Sequence, residues 1–196
     1  MSENTKSKMT EKKEERKRLE QQIRFIIEAD NVKSVFRQTY LADGSRKEND
    51  AEHSWHLELS AILLKEHMDA PVDLMKVIVM VLIHDLVEID AGDTYAYDSE
   101  GAKSKREREL KAAERIFGIL PKDQGTYFRS LWDEFEEYST EDAKFAHLLD
   151  NFQPLLLNDA SDGKSWAEHG VHKAQVCKRN ERIADTSDIV LSLIHI

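Results

Sequence analysis

From residue 19 onward the apolar positions fall at helical spacing. Leu19, Ile23, Ile26 and Ile27 recur every three or four residues and continue towards Val32, Val35 and Phe36, which predicts a first packed helix. Residues 1–18 alternate Lys and Arg with Glu and carry few apolar positions, so they read as a charged, frayed tail leading into that helix. The polar stretch 41–49, with Gly44 near its middle, predicts a loop, and Asp50 stands ready to cap a helix over 51–67 that carries His53 and His56. Asp73 caps a third helix whose body, 74–89, is apolar nearly all round, as for an element buried on every side, and Gly92 stops it. Leu110, Ala113, Ile116 and Phe117 give a fourth helix ending at Gly118, and Pro121 opens a fifth with Tyr127, Leu131 and Phe135 on one face. Ser139 and Asp142 open a sixth carrying Phe145, Leu149, Asp150 and Phe152, and a seventh covers 173–183. The expectation is an all-α bundle of roughly six to eight helices.

Composition agrees with that pattern. The chain of 196 residues has only seven Gly and three Pro, which suits long helices with short connections, and its length fits one domain, expected over 19–188. The last six residues, LSLIHI, match an in-frame reading of a sequencing-library transposon end, so 189–196 is expected to be a non-native or truncated C-terminal segment. A lone Cys177 and the lack of an apolar leader point to a reducing, cytoplasmic setting. The longest apolar run, 77–83, falls far short of the roughly 20 residues that span a bilayer, so no membrane segment is expected. A formal net charge of −10 repels polyanions and argues against nucleic acid as a partner. A small phosphate ester stays compatible with it, provided a cation and one or two basic side chains reverse the field locally.

The candidate chemistry sits where the third helix ends. His84, Asp85, Glu88 and Asp93 place four ionisable groups on an element that otherwise excludes charge, and burying them unpaired would be expensive. A divalent cation bound by imidazole nitrogen and carboxylate oxygen compensates directly. Further ligands are sought in a histidine on the preceding helix and a carboxylate on a later one, and His53 and Asp150 fit. A His-Asp pair alone is more often a hydrogen-bonded cap, but the whole set is hard to obtain by chance. His56 reads as packing beside His53, and the mixed run around Lys103, Lys105 and Arg106 as a solvated helix face.

The run Glu52-His53-Ser-Trp-His, the segment HDLVEIDAGD at 84–93, LWDEFEE at 131–137 and Ala143-Lys-Phe with Asp150 resemble the HD-domain hydrolases, and most closely the YfbR-like 5′-deoxynucleotidases. The resemblance implies a helical HD domain in which His53, His84, Asp85 and Asp150 hold one divalent ion, with Mn, Co, Fe, Zn and Mg all suited to the donor set. It implies further that Glu88 and Asp93 are the catalytic acids and that Arg37 binds substrate phosphate. Where that branch carries a tryptophan shortly after the arginine, this chain has Gln38 and Tyr40, which makes Tyr40 the candidate contact to the nucleoside. The ion would acidify water and polarise a phosphoryl oxygen while Glu88 and Asp93 handle protons, in an order the sequence leaves open. A nucleoside 5′-monophosphate substrate and a homodimer are implied. The alternatives are another phosphate ester or nucleotide polyphosphate, and a non-catalytic nucleotide sensor.

Overall fold

The computed structural model describes residues 3–98 and 100–194, and among them the chain is a helical bundle with one small hairpin. Helix α1 (Glu3–Ala29) passes through a 3-10 turn (Asp30–Ser34) into strands β1 (Phe36–Tyr40) and β2 (Lys47–Asn49), which pair antiparallel. Helices α2 (Asp50–Leu64), α3 (Leu74–Ile83), α4 (Glu88–Ala91), α5 (Ala102–Phe117), α6 (Lys122–Glu137) and α7 (Glu141–Ala160) follow. Short helices α8 (Lys164–His169), α9 (Lys173–Asn180) and α10 (Asp188–Ile194) complete the described residues.

Helix α3 is the centre of the core and packs against α2, α6 and α7. Its buried Val77, Met80, Val81 and Ile83 meet Leu57 and Ala61 of α2, Trp132 of α6 and Phe145, Leu148 and Leu149 of α7. At its C-terminal end the chain tightens into a 3-10 turn over His84–Val87 before α4. One cause is visible: the Trp132 indole N–H donates to the His84 carbonyl at 3.2 Å, drawing that carbonyl away from the helical ladder. Gly92 then turns the chain out with φ +73°, a conformation that suits glycine.

Several expectations are corrected. The chain at 30–40 is not the end of a long helix: Phe36, Thr39 and Tyr40 are aromatic or β-branched and form a strand, and Gly44, with φ +67°, lies in the loop that returns it. Arg37 and Tyr40 are therefore hairpin residues. The charged N-terminal segment is helical from Glu3 rather than frayed. Its packed position is Phe25, set edge-on against Phe128 at 5.9 Å, while Leu19, Ile23, Ile26 and Ile27 face outward. Polar contacts fix that rotation, with Arg18 on Asp123 and Gln22 on Gln124. Asp50 does not cap α2; Asn49 does, accepting from the Glu52 N–H while the Glu52 carboxylate accepts from the Asn49 N–H. Thr140, not Ser139, caps α7. The 74–89 segment is two helices with a turn between them. The expectation for 189–196 is not among these corrections: residues 189–194 lie in α10, with Val190 buried, and 195–196 lie outside the described residues. No described helix is long and apolar enough to cross a membrane.

Candidate metal centre

Three elements converge at the C-terminal end of α3. The α2 helix brings His53, the turn after α3 brings His84 and Asp85, and α7 brings Asp150. His53, His84 and Asp150 each offer a donor atom within 4.8 Å of the others, and Asp50, Asp85 and Glu88 form a second such group. His53, Asp50, His84, Asp85 and Glu88 are all buried.

The tautomers follow from the partners. Both N–H groups of the Gln153 amide are committed, one to Glu48 Oε1 at 2.8 Å and one to His56 Nδ1 at 3.1 Å. Gln153 Oε1 is thus an acceptor, and His53 Nδ1–H donates to it at 3.0 Å. That leaves the His53 Nε2 lone pair facing the Asp150 carboxylate at 3.1 Å, acceptor against acceptor. His84 repeats the arrangement. Its Nδ1–H donates to the Val81 carbonyl at 2.8 Å, and its buried Nε2 has no hydrogen-bond partner although Asp85 Oδ2 is 3.0 Å away. Two lone pairs aimed at carboxylates require a proton each or a shared cation, so the donor set fits a divalent ion.

Arg37 reaches in from β1. Its Nη1 donates to Asp85 at 2.7 Å and to Asp50 at 3.3 Å, and Nη2 lies 3.7 Å from Asp150. Although burial opposes the Arg37 charge, Asp85, Asp150 and Asp50 outweigh it and hold its pKa well above the usual value. Burial works to raise Asp150, but the neighbouring His53 and His84 rings hold it well below the usual carboxylate range. Burial likewise raises Asp85, and the neighbouring His84 and Arg37 overcome it. Asp50 goes the other way, pushed up to about 7 by burial and by Asp85. Glu88 is raised well above its ordinary value by burial, Asp85 and Asp50, and its Oε2 has no partner. Asp93, half-buried on the loop after Gly92, is raised by burial.

A cavity of about 280 Å³ opens on this cluster and is lined by Arg37, Asp85, Glu88, Asp93, Lys105 and Asp150, among others. A wider hollow of about 590 Å³ shares Asp85, Lys105 and Asp150 with it. The structure thus gathers His53, His84, Asp85, Asp150, Glu88, Asp93 and Arg37. It does not bring in Tyr40, whose hydroxyl donates to Glu168 at 2.6 Å and whose ring lies under Lys164 Nζ at 4.0 Å. Sequence reasoning missed three residues. Asp50 was hidden by its position beside the true cap, and the Asn-x-x-Glu spacing of Asn49 and Glu52 was the signal that freed it for another task. Gln153 lies three residues after Asp150 on α7, and Lys105, read as solvated, lines both cavities.

The HD-domain family profile matches residues 29–190. The chain belongs to the HD-domain family. Similar proteins include the 5′-deoxynucleotidase HDDC2 of Mus musculus, 28% identical over 135 residues that cover 68% of this chain and 66% of that protein. The Homo sapiens protein of the same name is 29% identical over 111 residues, 57% of this chain and 53% of that protein. The match thus spans less than two thirds of the length of these curated relatives. Among solved structures, a predicted metal-dependent phosphohydrolase from Magnetospirillum magnetotacticum MS-1 is 48% identical with a TM-score of 0.87, covering 91% of this chain and 89% of that one. A conserved hypothetical protein from Pyrococcus furiosus, 21% identical with a TM-score of 0.58 over 83% of this chain and 97% of that one, shares the HD-domain fold.

If the lone pairs await a cation, Mn(II) at 100 times its Kd stabilises the HD domain by about 2.7 kcal/mol. Thermal unfolding should show that as a raised Tm, abolished in Asp150→Ala; a wild-type Tm indifferent to Mn(II), Co(II) and Mg(II) contradicts it.

Proposed function

We propose that this HD-domain protein is a metal-dependent phosphomonoester hydrolase acting on nucleoside 5′-monophosphates. The observation that carries the reading is the pair of imidazole Nε2 lone pairs facing the carboxylates of Asp150 and Asp85, which line a cavity together with the Arg37 guanidinium. His53, His84, Asp85 and Asp150 are the proposed ligands of a single divalent ion. When bound, such an ion supplies positive charge to phosphoryl oxygens and acidifies water. Arg37 then turns from the carboxylates to a phosphate oxygen and holds the ester in line for attack. Glu88 Oε2, a buried acceptor without a partner, takes the proton of the attacking water. Asp93, on the loop after Gly92 and with its pKa raised by burial, gives a proton to the leaving 5′-oxygen. The names of the similar proteins above agree with this class of substrate.

A second reading is favoured by one feature: Lys178, Arg179 and Arg182 line the wider hollow and suit additional phosphates. A nucleotide polyphosphate substrate would use them.

We further propose a homodimer in a reducing, cytoplasmic setting, the latter on the strength of the lone Cys177. Trp55, Leu59, Ile62 and Leu63 on α2, with Met75 and Leu82 on the adjacent α3, are 41–68% exposed. These side chains recur at helical spacing on two adjacent helices, and such a face can pair with itself about a two-fold axis.

Phosphate release from deoxynucleoside 5′-mono- and triphosphates with Mn, Co or Mg tests the activity. Monophosphates should be hydrolysed only with metal, Glu88→Gln should lower kcat by about 10²–10⁴, and Arg37→Ala should mainly raise KM. Release from triphosphates alone would move the reading to polyphosphates, and release from neither would leave a sensor. For assembly, sedimentation should give twice the 22.7 kDa chain mass for wild type and a single chain for Ile62→Asp; a monomeric wild type refutes the dimer.

A further inference from the structure

Neither Glu48 of β2 nor Gln153 of α7 lines the cavity or the hollow that open on the acid cluster. They are nevertheless only 2% and 1% exposed, and both meet His53, which is fully buried. A glutamate is rarely buried so deeply unless its charge has a partner. The group that Glu48 Oε2 faces is His53 Nδ1, at 3.6 Å, and that oxygen makes no hydrogen bond of its own.

The Gln153 amide lies between them and transmits a direction. A carboxylate only accepts, so Glu48 Oε1 draws the amide nitrogen to itself, at 2.8 Å. The same nitrogen donates to His56 Nδ1 at 3.1 Å, which leaves the amide oxygen to face His53 Nδ1 at 3.0 Å. Turned over, the amide would set oxygen against the Glu48 carboxylate and nitrogen against His53. The proton on His53 Nδ1 is thus held there by Glu48 at one remove. Asp150 pulls the other way, because it stands 3.1 Å from Nε2 and would accept a proton placed on that nitrogen. A ring whose only proton sat on Nε2 would hydrogen-bond Asp150 and offer no lone pair to an ion.

Resting on the metal-centre reading above, we propose that Glu48 and Gln153 are positioning residues that preset His53 as a ligand. They hold the ring proton on Nδ1, so that any proton lost on metal binding leaves from Nε2, the nitrogen facing Asp150. His53 then needs neither a change of tautomer nor a turn of its ring to bind. The arrangement also gives His56 a part: its Nδ1 accepts one of the two Gln153 N–H groups and helps keep the amide from reversing.

Calorimetric titration with Mn(II) tests the proposal, together with NMR of histidine nitrogens labelled with 15N. Gln153→Met keeps the charge and nearly the size of the side chain but removes the acceptor, and it should weaken Mn(II) binding by about 10- to 100-fold. A smaller folded fraction would lower the number of sites in the titration and leave the affinity of the remaining sites unchanged. The double variant Glu48→Gln with Gln153→Glu reverses the pair, so that an amide at 48 donates to a carboxylate at 153, which can again only accept from His53. It should recover most of the lost affinity. Wild-type affinity in Gln153→Met, or no recovery in the double variant, overturns the proposal. In the metal-free wild type, Nδ1 of His53, assigned by the loss of its signal in His53→Ala, should carry a proton. Mn(II) binding with an unprotonated Nδ1 in the metal-free protein sinks the positioning role and keeps the metal centre. No Mn(II) binding by the wild type sinks the metal centre and the proposal with it.

Discussion

One electrostatic constraint organises the molecule: the carboxyl groups of Asp50, Asp85, Glu88 and Asp150 share a largely buried space with a single guanidinium, Arg37. Charge buried without compensation is costly, and Arg37 cannot neutralise all of them. The protein responds in the ways open to it. Asp50 and Glu88 are pushed towards the protonated form, while His53 and His84, although buried, are driven towards the charged form by the acids facing them. A divalent ion would do the same work as those protons at once, and binding it would release them.

The bundle is arranged to hold that arrangement still. The Glu48–Gln153–His53 relay ties β2 and α7 to α2 and sets which nitrogen of His53 is free. The Val81 carbonyl does the same for His84, and Trp132, fully buried and flanked by Arg106 and Arg129, holds the carbonyl of that same residue. Arg108 donates to the Ala91 carbonyl and to Thr94 Oγ1, bracing the loop that carries Asp93. Pro154 has no N–H to offer the Asp150 carbonyl, so α7 lacks that helical hydrogen bond just where it passes the site.

Much of this was legible in the residues. An apolar helix that ends in His84 and Asp85 cannot be explained by packing alone, and that misfit led to His53 and Asp150. Arg37 entered through a family resemblance, since nothing local marks one arginine among many. What escaped were residues whose role is set by rotation or partner choice. The Leu19, Ile23, Ile26 and Ile27 stripe has the right period for a packed face, yet tertiary polar contacts turn Phe25 inward instead. Asp50 looked like a cap because periodicity cannot tell a capping residue from its neighbour. Tyr40 stands near Arg37 in sequence but on a strand, where alternation sends it to Glu168 and away from the cavity. Lys105 sits in a charge run whose solvated reading is the commoner one.

The central claim is that the converging imidazoles and carboxylates hold a divalent ion. Anomalous diffraction at the manganese edge from crystals grown with Mn(II) tests it most directly. The account predicts one dominant peak bonded to Nε2 of His53 and of His84 and to oxygens of Asp85 and Asp150. No peak among those four side chains, with Arg37 still bound to Asp85, would contradict it.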